Sequence, residues 1–161
     1  MVRLLLGRGA YIHSVDGSGY TLVMWAATAG HEGVIKLLLD KGVNFNRGDD
    51  THRISLAYAA TEGHERVVRL LLQQGADLEC KGQTGCTSLI SPAIEGQDDD
   101  SNTALIYAAS HGCEDVVRLL LDNGADIECQ DANRMTAYFW VHEKKYHDVA
   151  RLLLQHGAKQ V

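Results

Sequence analysis

The stretch that decides the fold is TALIYAASHGCEDVVRLLLDNGA, residues 103–125. An alanine-rich segment, a glycine and a leucine-rich segment follow one another there. Nearly the same order of residues recurs in ISLAYAATEGHERVVRLLLQQGA, residues 54–76. The glycine accepts the left-handed conformation that ends a helix, and the leucine-rich segment has the wide apolar face of an amphipathic helix. Each copy is therefore predicted to form a helix, a tight turn and a second helix.

Leucine triplets extend this pattern along the chain with a common period. Their spacings are 33, 33, 49 and 33 residues, and they lie at 4–6, 37–39, 70–72, 119–121 and 152–154. One such unit cannot bury its apolar face alone, so stacked units are expected. The resulting division is a half unit at 1–15, units at 16–48 and 49–81, an extra segment at 82–97, and units at 98–130 and 131–161.

Three stretches carry a resemblance to a known family: TLVMWAATAGH at 21–31, TALIYAASHG at 103–112 and GADLE at 75–79. They resemble the ankyrin repeat, a 33-residue unit of a turn and two helices. The resemblance implies an all-α ankyrin-repeat solenoid, with about four full repeats, an N-terminal half repeat and a 16-residue insertion. The last unit departs most from the family pattern, and we expect it to form a C-terminal cap.

The extra segment, residues 82–97, echoes the first half of a unit and contains Pro92, the only proline. Two arrangements fit this echo. In one, residues 87–95 hold the first-helix position and an insertion follows. In the other, residues 82–102 form a long excursion and residues 103–111 hold the position. The unbroken unit after Thr103 favours the second arrangement.

Composition argues against several classes of function. The chain has 15 basic and 21 acidic residues, for a net charge of -6, which disfavours binding to nucleic acid or to an anionic membrane. Its apolar runs are far shorter than the about 20 residues of a membrane-spanning helix. The four cysteines lack close pairing and favour a reducing location, cytoplasmic or nuclear.

The histidines and cysteines do not form a catalytic or metal-binding pattern. His31 and His64 occupy the family's Gly-His turn, where we expect them to hydrogen-bond the loop backbone. His111 and Cys113 flank Gly112, but no acid is placed to orient a base. The cysteines lack zinc-finger spacing, and no phosphate-binding loop is present. The sequence therefore predicts no enzyme, cofactor, metal ion or small-molecule substrate.

The resemblance implies a protein partner that binds the concave face, which the turn tips and first helices form. The candidate contact residues are Tyr20, Trp25, Arg53, Tyr58, Glu62, Asp99, Asp100, Asn102, Tyr107, His111, Met135 and Trp140. Four of them form an aromatic column just before the alanine pairs: Trp25, Tyr58, Tyr107 and Trp140. The column either lines a binding groove or packs between stacked helices.

Two further features bear on the partner. Asp98, Asp99 and Asp100, with Glu95 and Asp115 nearby, form either an attractive site for a basic partner or a solvated loop. The half unit at residues 1–15 lacks a first helix, which would leave apolar surface open, so either the chain was cut from a longer array, which we favour, or that surface meets another chain. A second hypothesis is therefore a targeting module of a larger protein, such as a ubiquitin-ligase adaptor, a channel or a host-directed effector.

Overall fold

The computed structural model describes residues 11–51, 53–79 and 102–159. Regular structure in these ranges is helical, and helices of seven and nine residues alternate. The helices are α1 (Leu22–Thr28), α2 (Glu32–Asp40), α3 (Ser55–Thr61), α4 (Glu65–Gln73), α5 (Ala104–Ser110), α6 (Glu114–Asp122), α7 (Ala137–Glu143) and α8 (His147–Gln155). The expectation of an all-α chain of helix-turn-helix units is confirmed.

The first helix of each unit begins after a residue in extended conformation, and in three units that residue is a capping threonine. The Oγ1 atom of Thr21 accepts the backbone N–H of Met24 at 3.3 Å. Thr103 and Thr136 cap α5 and α7 in the same way. Each such cap stabilises a helix by about 1 kcal/mol. Ile54 holds the position before α3 and makes no side-chain cap.

Glycines in the left-handed region join the two helices of a unit, as the sequence predicts. Gly30, Gly63 and Gly112 have φ values of 67°, 70° and 72°. In the last unit Lys145 takes this place with a φ of 60°. A side chain in this region costs roughly 1–2 kcal/mol, so the last unit carries backbone strain that the other units avoid.

The helices form two layers. The first helices, α1, α3, α5 and α7, stack in that order, and the second helices, α2, α4, α6 and α8, form the outer layer. The first helices contact one another more extensively than the second helices do. Their buried alanine pairs explain this difference, because small side chains allow close approach: Ala26–Ala27, Ala59–Ala60 and Ala108–Ala109. The first helices therefore pack more closely against one another than the second helices do.

The helix beside α3 in the inner layer is α5, so residues 104–110 hold the next first-helix position. The extra segment at 82–97 lies outside the described residues. In the last unit Val141 is buried where the other units have alanine, and His142 beside it is exposed. Within the described ranges, no helix has the length and apolar character needed to cross a membrane.

Candidate partner-binding surface

An aspartate builds each turn tip that the structure describes. One of its carboxylate oxygens accepts the backbone N–H groups of the residues two and four positions later, at 2.8–3.0 Å. The sets are Asp16 with Ser18 and Tyr20, Asp49 with Thr51 and Arg53, and Asp131 with Asn133 and Met135. These bonds fix the residues of the tips, which the resemblance to the family names as candidate contact residues, relative to the first helices.

The second carboxylate oxygen ties the turn to the aromatic column. The hydroxyl of Tyr58 donates to Asp49 Oδ2, and Trp140 Nε1 donates to Asp131 Oδ2 at 2.9 Å. Burial raises the pKa of Tyr58 far above its ordinary value, and the hydrogen bond to Asp49 raises it further. The hydroxyl is therefore held in its neutral, donating form.

Side chains from successive turns are inserted between members of the aromatic column. The ring of Tyr20 lies 5.2 Å from that of Trp25 and 4.9 Å from that of Tyr58, between centroids. The guanidinium of Arg53 lies 5.5 Å from the ring centroid of Tyr58 and 4.5 Å from that of Tyr107. We call this row the inner ladder: Trp25, Tyr20, Tyr58, Arg53 and Tyr107. It links three units through aromatic and cation–π contacts.

The exposure of the aromatic column distinguishes between its two interpretations, a binding groove and packing between stacked helices. Tyr58 and Tyr107 are only 7% and 5% exposed, because neighbouring helices and inserted side chains cover them. Trp140 is half-buried and bonded to Asp131. Trp25 differs from the others, since 56% of it is exposed. Packing between stacked helices is therefore the right interpretation for Tyr58 and Tyr107, whereas Trp25 stays open to solvent.

The remaining candidate contact residues divide by exposure. Glu62 and His111 are exposed at the ends of α3 and α5. The partly buried candidates are Tyr20, Arg53, Asn102 and Met135. Asp99 and Asp100 lie outside the described residues, as does the acidic cluster around them except for exposed Asp115.

His64 has the structural role that the sequence predicts. Its Nε2 lies 2.9 Å from the carbonyl oxygen of Thr28 in the preceding unit. Its ring also lies against Gly30, where an added Cβ would come within 2.8 Å of it. Cys113 repeats the arrangement one unit later, with its Sγ 3.8 Å from the carbonyl oxygen of Thr61. This column joins units through the turns between their helices.

The surroundings of Cys113 disfavour the ionised form of its thiol. Burial raises the pKa of its thiol, and the charge of Glu62 raises it further. A raised pKa lowers the fraction of reactive thiolate. His111 directs its Nδ1 to the carbonyl oxygen of Tyr107 at 2.9 Å. Among the described residues, no group of three or more His, Cys, Asp or Glu side chains is placed to hold a metal ion.

A second set of links between units went unrecognised in the sequence. Asn46, Glu79 and Glu128 occupy equivalent positions at the ends of their units, and each accepts a backbone N–H from the following unit. The donors are Asp77 at 3.3 Å, Asp126 at 2.8 Å and Lys159 at 3.1 Å. The sequence does contain a signal for these links, since a side chain with an acceptor oxygen recurs at the same position of each unit, as either Asn or Glu.

Paired helices stacked through capped turns and short-range contacts define a helical repeat protein. A family model described as ankyrin repeats (3 copies) matches residues 1–82 and 81–161, and the chain therefore belongs to the ankyrin-repeat family. A search of curated proteins found no match to this chain. Ankyrin repeats generally mediate protein–protein interaction and are typically non-catalytic.

Proposed function

We propose that this chain binds a protein partner through its concave face and does not act as an enzyme. The mechanism is the presentation of side chains in fixed positions on a stack whose core does not need to rearrange. Such a scaffold limits the conformational entropy that is lost on binding.

One row of residues carries the proposal. The C-cap residues that directly follow the four described first helices are all exposed: Ala29, Glu62, His111 and Lys144. The first three of these residues follow helices whose alanine pairs are all buried. The four exposed side chains themselves differ in character, from apolar alanine to acidic glutamate, imidazole and basic lysine. A surface that varies from unit to unit over a constant core is suited to recognition, because its chemistry can change without loss of packing.

The test is affinity capture from a cell extract, with the immobilised chain and mass spectrometry as the readout. Glu62→Arg reverses a charge in the exposed row. Asp40→Arg makes the same type of change at the end of α2, in the outer layer. We expect at least one protein to be captured by the parent chain and by Asp40→Arg, and to be reduced about ten-fold by Glu62→Arg, equivalent to about 1.4 kcal/mol.

Circular dichroism melting of both variants controls for folding. Capture that Asp40→Arg reduces and Glu62→Arg does not would assign binding to the outer layer and contradict the proposal. A targeting module of a larger protein would use the same concave surface, so this experiment also tests the recognition step of that second hypothesis. We also propose a reducing location, cytoplasmic or nuclear, because the four cysteines of the sequence lack close pairing.

A further inference from the structure

Pairs of second helices enclose grooves on the outer layer. The first outer groove lies between α2 and α4, has a volume of about 280 Å³, and is lined by Glu32, Lys36, Arg66, Arg69, Leu70 and Gln73. The second outer groove lies between α6 and α8, has a volume of about 340 Å³, and is lined by Glu114, Arg118, Asp148, Arg151, Leu152 and Gln155. These volumes suit single side chains of a partner better than a large ligand.

The two outer grooves are built from equivalent positions of their units. An acid, two cations, a leucine and a glutamine recur at five of the six lining positions. The sixth position is Arg66 in the first outer groove and Asp148 in the second. The corresponding residues of α2 and α6 are Gly33 and Asp115. Among the four described second helices, α4 alone has a cation at this position.

The side chain of Arg66 is also the one that these helices leave without an acidic partner. Their other lysines and arginines each form an ion pair with an acid three or four positions earlier: Lys36, Arg69, Arg118 and Arg151. Arg66 is exposed and makes no ion pair with any described residue, including Asp115 one unit further along the stack. The hydrogen bond from Lys36 lowers the pKa of Glu32 most, and the charge of Arg66 on the neighbouring helix lowers it further.

The charge of the first outer groove fits one carboxylate. Its lining holds three cations and one acid, and Glu65, which pairs with Arg69, adds a second acid beside it, so one positive charge is left. Asp40 and Lys41 offset each other at the end of α2. One carboxylate neutralises this excess, whereas a phosphate group with about two negative charges exceeds it. The net charge of -6 on the whole chain does not cancel the excess, because salt screens exposed charges beyond about 8–10 Å.

The lining can hold both a carboxylate and the carbon atoms next to it. The planar guanidinium of Arg66 matches the two oxygens of a carboxylate, and the amide of Gln73 supplies an uncharged donor. Leu70 is half-buried and adds apolar surface. We propose that the first outer groove binds an aspartate or glutamate side chain of a partner protein, and that Arg66 decides this recognition. The site goes beyond the proposed function, because it adds a second contact surface on the outer layer.

The experiment uses the whole chain labelled with ¹⁵N and three end-blocked, nine-residue peptides that differ only in the central residue. That residue is glutamate, glutamine or phosphoserine, and the arginine Nε–H signals report where each peptide binds. We expect the glutamate peptide to shift the signals of Arg66 and Arg69 and not those of Arg118 and Arg151 in the second outer groove. Its affinity should exceed that of the glutamine peptide about 3- to 10-fold, and the phosphoserine peptide should bind no more tightly.

Exchange of the one position that differs between the grooves sharpens the test. Arg66→Asp gives the first outer groove the aspartate of the second and should abolish glutamate-dependent binding. Asp148→Arg makes the reciprocal change, frees Arg151 from its ion pair with Asp148 at 3.3 Å, and should create a second site. Arg47→Asp, the same change at an exposed arginine outside the grooves, should leave binding unchanged. Circular dichroism melting of each variant controls for folding.

Several outcomes would overturn the proposal. Equal affinity for the glutamate and glutamine peptides, equal shifts in the two outer grooves, or binding that survives Arg66→Asp would each do so. Tighter binding of the phosphoserine peptide would assign the groove to phosphate instead. Asp148→Arg without a gained site would show that the residue at this position does not decide recognition. Capture that depends on Glu62 is independent of these results, so the concave-face function is tested separately.

Discussion

The guanidinium of Arg53 lies over the ring of Tyr107, 4.5 Å from its centroid, although the two residues belong to successive stacked units. Arg53 also lies 5.5 Å from the ring of Tyr58 in its own unit. A cation between two aromatic rings both covers their surface and holds the two units in register. Arg53 is therefore part of the structure of the stack as well as of the turn tip.

We expect Arg53→Gln to lower the free energy of unfolding by about 0.5–2 kcal/mol, because it removes the cation–π contacts and part of the packing. Urea titration followed by circular dichroism measures this change. Arg47→Gln, at an exposed arginine, is the matched control. Arg53→Tyr should restore much of the loss, since Tyr20 fills the equivalent position. Equal midpoints for the two glutamine variants would contradict a role of Arg53 in stability.

The turn between α1 and α2 offers a test of the contact between Gly30 and His64. Gly30 and Gly42 have φ values of 67° and 71°, so alanine meets a similar backbone cost at both, roughly 1–2 kcal/mol. Only at Gly30 does the new Cβ approach a neighbour, 2.8 Å from the His64 ring, whereas it meets nothing within 4 Å at Gly42. Gly30→Ala should therefore cost about 1–3 kcal/mol more than Gly42→Ala.

The double variant Gly30→Ala/His64→Ala identifies the cause of this difference. Without the His64 ring, Gly30→Ala should destabilise the chain by nearly as little as Gly42→Ala does. The coupling free energy between positions 30 and 64 then measures the contact. Additive effects in chemical denaturation would show that His64 is not the group that glycine accommodates.

Lys145 offers a route to a more stable chain. It adopts a φ of 60° where the other units have glycine. Lys145→Gly removes the strain of the left-handed conformation but adds freedom to the unfolded chain, and we expect a net gain of about 0.5 kcal/mol. Lys144→Gly, next to it with a φ of -81°, should instead lower stability by about 0.5–1 kcal/mol. Thermal melting of the two variants is the measurement. Melting temperatures that shift in the same direction would contradict backbone strain at Lys145.

Tyr58 should make stability depend on pH in the alkaline range. Its pKa is raised in the folded chain, so its contribution is complete below the ordinary tyrosine pKa of about 10 and is lost as the pH rises above that value. Tyr58→Phe should therefore lose less stability than the parent chain between pH 9 and pH 11, as measured by urea unfolding at each pH. Tyr11→Phe, at a tyrosine that is 85% exposed, should follow the parent chain. An unchanged pH dependence in Tyr58→Phe would contradict the buried hydrogen bond to Asp49.

Much of the fold could be predicted from the sequence, because its signals are local and recur. The helix ends at Gly63 and Gly75 and the turn role of His64 each follow from a few neighbouring residues, and the structure confirms them. The solvent exposure of the aromatic column could not be predicted from neighbouring residues in the sequence. Whether Tyr58 is exposed depends on Tyr20, 38 positions away, and on α5, which follows after the extra segment.

The candidate surface was therefore predicted in outline and corrected in detail. Glu62 and His111 are exposed where the resemblance to the family places them. Arg53 and Tyr58, named for the same surface, contact each other instead. Their positions within the unit were clear, but the direction in which a long side chain turns is decided by the next unit in the stack.

By itself the sequence determined the spacing of the units, their helix-turn-helix pattern and the family, because a hydrophobic pattern and a glycine act within one unit. The tertiary structure decided which equivalent residues are covered and which are open. Trp25, Tyr58 and Tyr107 hold the same position in their units, yet only Trp25 keeps most of its surface in solvent. The physical reason is that stacking places Arg53 between the two tyrosine rings and leaves one side of the indole without such a neighbour among the described residues.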